Sequence, residues 1–98
     1  QSLIIYFMAA TILNSTKQED KYVSEAFEMT SDNAGLQVTT KDDSDVLVEI
    51  SLDGATWQIA AFNHRGVKNV VDVISGGKAG LKVRIITTAE PLSIQILQ

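Results

Sequence analysis

Residues 46–62 read VLVEISLDGATWQIAAF. Val46, Val48, Ile50 and Leu52 alternate with Leu47, Glu49 and Ser51. Beyond Asp53-Gly54, Trp57, Ile59 and Ala61 alternate again. Period-two apolar spacing on both sides of an Asp-Gly pair is the pattern of a β-hairpin. It predicts that Asp53-Gly54 forms the turn and that Trp57 packs into the core beside Leu52.

Outward from this hairpin the chain keeps the same rhythm. Leu36, Val38 and Thr40 predict a short strand upstream, after a turn at Ser31–Gly35 and before an acidic turn at Lys41–Asp45. Downstream, Asn63-His64-Arg65-Gly66 is expected to be a turn. Val67–Ile74 follows as a strand, then the glycine-rich loop Ser75–Gly80, then Leu81–Ile86. Glu90-Pro91 interrupts, because proline cannot donate to a ladder, and Leu92–Leu97 is the last strand. Toward the N-terminus, Asn14–Asp20 is a polar connector and Tyr22–Thr30 a strand with Val23, Phe27 and Met29 on one side. Leu3–Leu13, LIIYFMAATIL, is apolar on both faces and must be covered on both. No segment keeps helical period over three turns; Ser24–Met29 has fair helix formers but is too short to hold alone. About seven to eight short strands at near-even spacing predict an all-β, antiparallel β-sandwich, immunoglobulin-like or jelly-roll, in a single domain over residues 1–98.

Composition narrows the chemistry. The 98 residues carry a net charge of −4 with eight scattered Lys and Arg. Nucleic acid and anionic membrane surfaces both need clustered basic residues, so neither is an expected partner. There is no cysteine, hence no disulfide and no thiolate. Their absence leans toward a reducing compartment or toward stabilisation by partners. The apolar run at Leu3–Leu13 is too short to span a bilayer and lacks the basic flank of a signal peptide. The start at Gln1 reads as processing or trimming.

Several residues suggest chemistry and are better explained by structure. Ser51-Leu52-Asp53-Gly54-Ala55-Thr56-Trp57 resembles the Asp box of sialidases and other propellers, Ser-x-Asp-x-Gly-x-Thr-Trp, with one residue missing between Asp53 and Gly54. One copy in a chain too short for several blades favours a plain turn. Asp42, Asp43 and Asp45 offer oxygen ligands for calcium, but without an EF-hand's glycine and distal glutamate they read as a solvated acidic turn. His64, the sole histidine, has neither a cysteine nor a Gly-x-Ser-x-Gly elbow to serve, and is expected to be exposed in its turn. Ser75–Gly80, SGGKAG, precedes a strand, whereas a phosphate-cradling loop opens a helix. No paired carboxylates stand out for glycoside hydrolysis. No catalytic residue, cofactor or metal is expected.

If Trp57 points inward, Leu47, Ala60 and Phe62 point outward, and Ile86 beside Lys82 and Arg84 does the same. Leu47, Phe62 and Ile86, together with Leu3, Ile5 and Phe7 of the doubly apolar segment, are the candidate interface residues. The run Val46–Phe62, followed by GLKVRII and a terminal PLSIQIL, resembles small β-sandwich proteins of tailed-bacteriophage virions: capsid decoration, head-completion and tail accessory proteins. The resemblance covers residues 36–98 in strand and turn style. It implies a non-enzymatic virion component, assembled in the host cytoplasm, binding copies of itself or other shell subunits. The alternative is a carbohydrate-binding module of a larger extracellular protein, with Trp57 or Tyr22 as an exposed stacking ring.

Overall fold

The structure is a computed structural model that describes residues 10–98. It is all-β, an antiparallel sheet of eight strands curled into a half-barrel. The strands are β1 (Thr11–Ile12), β2 (Ser15–Gln18), β3 (Lys21–Ser24), β4 (Phe27–Glu28), β5 (Ala34–Ser51), β6 (Gln58–Ile74), β7 (Lys82–Thr87) and β8 (Pro91–Leu97).

β5 is the spine. On one side it pairs with β6 from Ala34↔Ile74 to Ile50↔Gln58. On its other side the first half of β5 pairs with β8 and the second half with β7. Both partners run antiparallel to β5, so β7 and β8 behave as one long strand broken at Thr88–Glu90. β1 lies outside β8, β3 and β4 lie outside β7, and β2 lies outside β3. The sheet thus has two arms. The upper arm is the first half of β5 with β8, β1 and the second half of β6. The lower arm is the second half of β5 with β7, β3, β4, β2 and the first half of β6.

The arms meet at a corner shared by all three long strands. In the β5–β6 ladder the register shifts between Thr39 and Ser44 and again before Val46, and Gly66 sits at φ +63°. Bulges of this kind bend a strand without ending its pairing. For this reason the expected turns at Lys41–Asp45 and Asn63–Gly66 are not turns between short strands. They are bends inside strands of 18 and 17 residues. Polar side chains hold the bend. The Ser44 hydroxyl accepts from the amides of Thr88 (3.1 Å) and Ala89 (3.0 Å) and donates to the Asp45 carbonyl (2.7 Å). Thr88 Oγ1 accepts from the Asp45 amide, and Thr40 Oγ1 donates to the Asp42 carbonyl.

Alternation on each long strand fills the concave side. Leu36, Val38, Val46 and Val48 of β5 are buried with Val70 and Ile74 of β6, Val83 and Ile85 of β7, and Ile94 and Ile96 of β8. Leu13 and Met29 close the cluster. Shielding side chains of this size contributes roughly 1.5–3 kcal/mol each.

Two expectations change locally. Asn14–Asp20 is not a connector: Ser15–Gln18 pairs with β3 across a tight turn, with Glu19 at φ +58°. The expected strand Tyr22–Thr30 is split at Glu25-Ala26 into β3 and β4, both on β7. The doubly apolar Leu3–Leu13 falls mostly outside the described residues. Its described end shows Leu13 buried and Ile12 exposed on β1.

Candidate functional site

The Asp53-Gly54 loop joins β5 to β6. Ile50↔Gln58 is the last β5–β6 pair, so the loop is wider than a two-residue Asp-Gly turn. The Asp53 carboxylate organises it, accepting from the amides of Ala55 and Thr56 (both 2.8 Å) and from the Ser51 hydroxyl (2.9 Å). Ser51 Oγ in turn accepts from the Gly54 amide, and Gly54 has φ +78°. The two backbone amides and the Ser51 hydroxyl favour the charged carboxylate, lowering the Asp53 pKa from 3.8 to about 2. This is an Asx-type turn with its hydrogen bonds closed internally. It leaves Leu52 at the tip, 84% exposed, rather than in the core.

Trp57 is not a core residue either. It is half-buried against the outer face of the lower arm, with the Arg84 guanidinium 4.3 Å from its ring centroid. Arg84 Nε donates to Glu49 Oε1 at 2.7 Å, and the two side chains are only 27% and 15% exposed. Because Glu49 and Arg84 sit opposite each other in the β5–β7 ladder, the pair locks register as well as charge. One face of the indole is therefore taken by a cation, and Tyr22 likewise has the Lys17 ammonium 6.0 Å over its ring.

His64 lies in β6, partly buried rather than exposed in a turn, with Nε2 3.0 Å from Asp72 Oδ2. Eight residues of extended strand cover about 26 Å. The contact therefore forms only because β6 doubles back across the corner, bringing its two arms together. The second Asp72 oxygen accepts from the Val73 amide. The pair ties the two arms of the curled edge strand together and orients the imidazole. Asp45 is committed as well: its carboxylate binds Arg65 Nη1 (2.9 Å) and the Gly66 amide (3.2 Å). Asp42 and Asp43 stay exposed beside it. Among the described residues no group of three or more His, Asp or Glu side chains converges to hold a metal.

The predicted interface set is dispersed. Leu3, Ile5 and Phe7 lie outside the described residues, and the Phe62 side chain is likewise not described. Leu47 is half-buried on the outer face of the lower arm. Ile86 shares the outer face with Leu47, as expected, but it is 3% exposed and so offers no open surface. It sits mid-sheet with Leu47 directly across on one side and Val23 on the other.

Leu52 and Ile59 are exposed on the lower arm, and a larger group of exposed apolar side chains lies on the outer face of the upper arm. Directly paired residues share a face, so the registers define three rows there. Gly35 lies between Leu97 and Val73. Gln37 lies between Gln95 and Val71, with Ile12 beyond Gln95. Thr39 lies between Ser93 and Asn69. No position in these rows carries a charge. Val71 is 77% exposed and Val73 53%, and Ile12 and Leu97 are also exposed. A shallow hollow of about 450 Å³ opens here, with Ala10, Val73 and Leu97 among its walls. A sequence signal for this surface existed. In Val70-Val71-Asp72-Val73-Ile74 both alternating sets are apolar, the same two-sided pattern that drew attention to Leu3–Leu13.

No protein-family model, curated protein or solved structure matches this chain.

Proposed function

We propose that this chain is a non-enzymatic structural protein that packs against neighbouring subunits of a larger assembly, a virion component in the manner of capsid decoration, head-completion or tail accessory proteins. The two arms of the curled sheet then serve as the two layers of a small β-sandwich. The observation that carries this reading is the uncharged outer face with Val71 and Val73 open to solvent. Exposed apolar side chains grouped on one uncharged face mark an interaction site, and depletion of charge is the compositional mark of an interface core. Three of the side chains that hinted at chemistry are engaged in holding the fold: Asp53 in its loop, Asp45 at the corner and His64 with Asp72.

The carbohydrate-binding alternative needs an open aromatic face. The Arg84 stack on Trp57 and the Lys17 contact to Tyr22 work against it. The test is to fractionate native assemblies by density and quantify this chain by mass spectrometry. It is expected at a fixed ratio to a repeating shell or tail subunit. Recovery only as free protein, or a shift of Trp57 emission on adding glycans, refutes the proposal.

A further inference from the structure

We propose that two copies of this chain associate face to face through the uncharged outer side of the upper arm, related by a two-fold axis passing near Gln37. The inference rests on the assembly reading above and names the partner and the surface.

Charge selects the partner. The chain carries −4 overall, so most ways of bringing two copies together oppose like charges. The outer face of the lower arm presents Glu49 and Arg84, and the corner presents Asp42 and Asp43. The three rows of the upper arm present none. The hollow does have Asp72 on its wall, but that carboxylate is already bonded to His64 and to the Val73 amide. Here two acidic chains meet without opposed charges, and the desolvation penalty for burying an ion does not arise. A strongly charged partner would gain nothing from this face.

The polar chemistry selects symmetry. Gln37, Gln95 and Asn69 carry amides, and Thr39 and Ser93 carry hydroxyls. Each such group both donates and accepts. A surface of this kind is complementary to an identical copy of itself, which is what an isologous contact requires. Gln37 lies on the central strand β5 in the second of the three rows, between Gln95 and Val71. A two-fold near it sets the two Gln37 amides together and lays the exposed Val71 and Val73 of each copy over the other's hollow.

The test uses sedimentation equilibrium of the full chain across the micromolar range, with circular dichroism to confirm folding. Gln37 is exposed, so Gln37→Glu and Gln37→Lys leave the monomer intact. The wild-type chain is expected to dimerise. Either variant alone should weaken dimerisation by roughly a hundredfold or more, because like charges then face each other across the axis. Mixing the two variants should restore a dimer, now mixed. Ile59→Glu, which places a charge on the outer side of the lower arm, should leave dimerisation unchanged. A wild-type chain that stays monomeric overturns the inference. So does a dimer indifferent to both Gln37 charges, or one lost only in Ile59→Glu. Each of these results leaves the assembly reading to be judged separately by the stoichiometry of native particles.

Discussion

Replacing Ser44 by Ala removes one oxygen from the corner where all three long strands bend. Ser44 is 2% exposed, and its hydroxyl makes bonds of 3.1 and 3.0 Å to the Thr88 and Ala89 amides and 2.7 Å to the Asp45 carbonyl. In Ser44→Ala the Thr88 amide keeps a longer bond to the Asp45 carbonyl at 3.3 Å. The Ala89 amide loses its bond to Ser44. An orphaned buried donor costs about 1–3 kcal/mol, and each intact hydrogen bond lost contributes about 1 kcal/mol more. The expected loss is therefore about 3 kcal/mol. For a domain of this size that lowers the melting temperature by about 12–24 °C. The assay is thermal and urea unfolding followed by circular dichroism, with hydrogen exchange at the Ala89 amide as the local readout. Ser93→Ala, on the outer face, serves as control and should change little. If Ser44→Ala loses under about 0.5 kcal/mol and Ala89 keeps its exchange protection, the polar corner does not hold the bend.

Three further outcomes are expected. Arg84→Ala should destabilise by about 2–3 kcal/mol, because it leaves the largely buried Glu49 carboxylate without its cation; the Trp57 emission should shift to the red as its stacked face opens, and an unchanged spectrum would contradict the stack. Asp53 should titrate near 2 rather than 3.8 in an NMR experiment. Since its folded value is depressed, the stabilisation is complete above pH about 4 and is lost as pH falls through about 2, so the Ala55 and Thr56 amides should lose protection only in that window; loss already at pH 5 contradicts the assignment. Gly77→Ala would place a Cβ 2.5 Å from Met29 Sδ, and Met29 is 1% exposed. Overpacking of this kind costs about 1–3 kcal/mol, and an unchanged unfolding midpoint in urea would show that the Ser75–Gly80 loop does not press on the core.

Alternation along Val46–Ser51, Val67–Ile74, Leu81–Ile86 and Leu92–Leu97 made the strand class and most of the core readable. Val46, Val48, Val83, Ile85, Ile94 and Ile96 all point inward as their spacing requires. What alternation hid was continuity. Asp and Gly clusters at Lys41–Asp45 and Asn63–Gly66 look like turns, yet the same residue types also suit a bulge with positive φ. Only the ladder that resumes beyond them tells the two apart, and those pairings are long-range. The burial of Ile86 is hidden for a related reason: one strand's pattern shows which face a residue takes, and whether that face is covered depends on the rest of the fold. Leu52 and Trp57 were assigned inward by extending the strand one step too far into a loop closed by Asp53. The outer face of the upper arm is only half legible: the two-sided apolar pattern of Val70–Ile74 marks one strand, and the rows across β1, β5, β6 and β8 exist only in the folded register.

The chain has no cysteine, so a single introduced thiol reports one contact without competition. Gln37→Cys, held under mild oxidation, should give a disulfide-linked dimer, while Ile59→Cys on the lower arm should stay monomeric. A Gln37→Cys protein that fails to cross-link, or cross-links no faster than Ile59→Cys, would contradict association through the uncharged face.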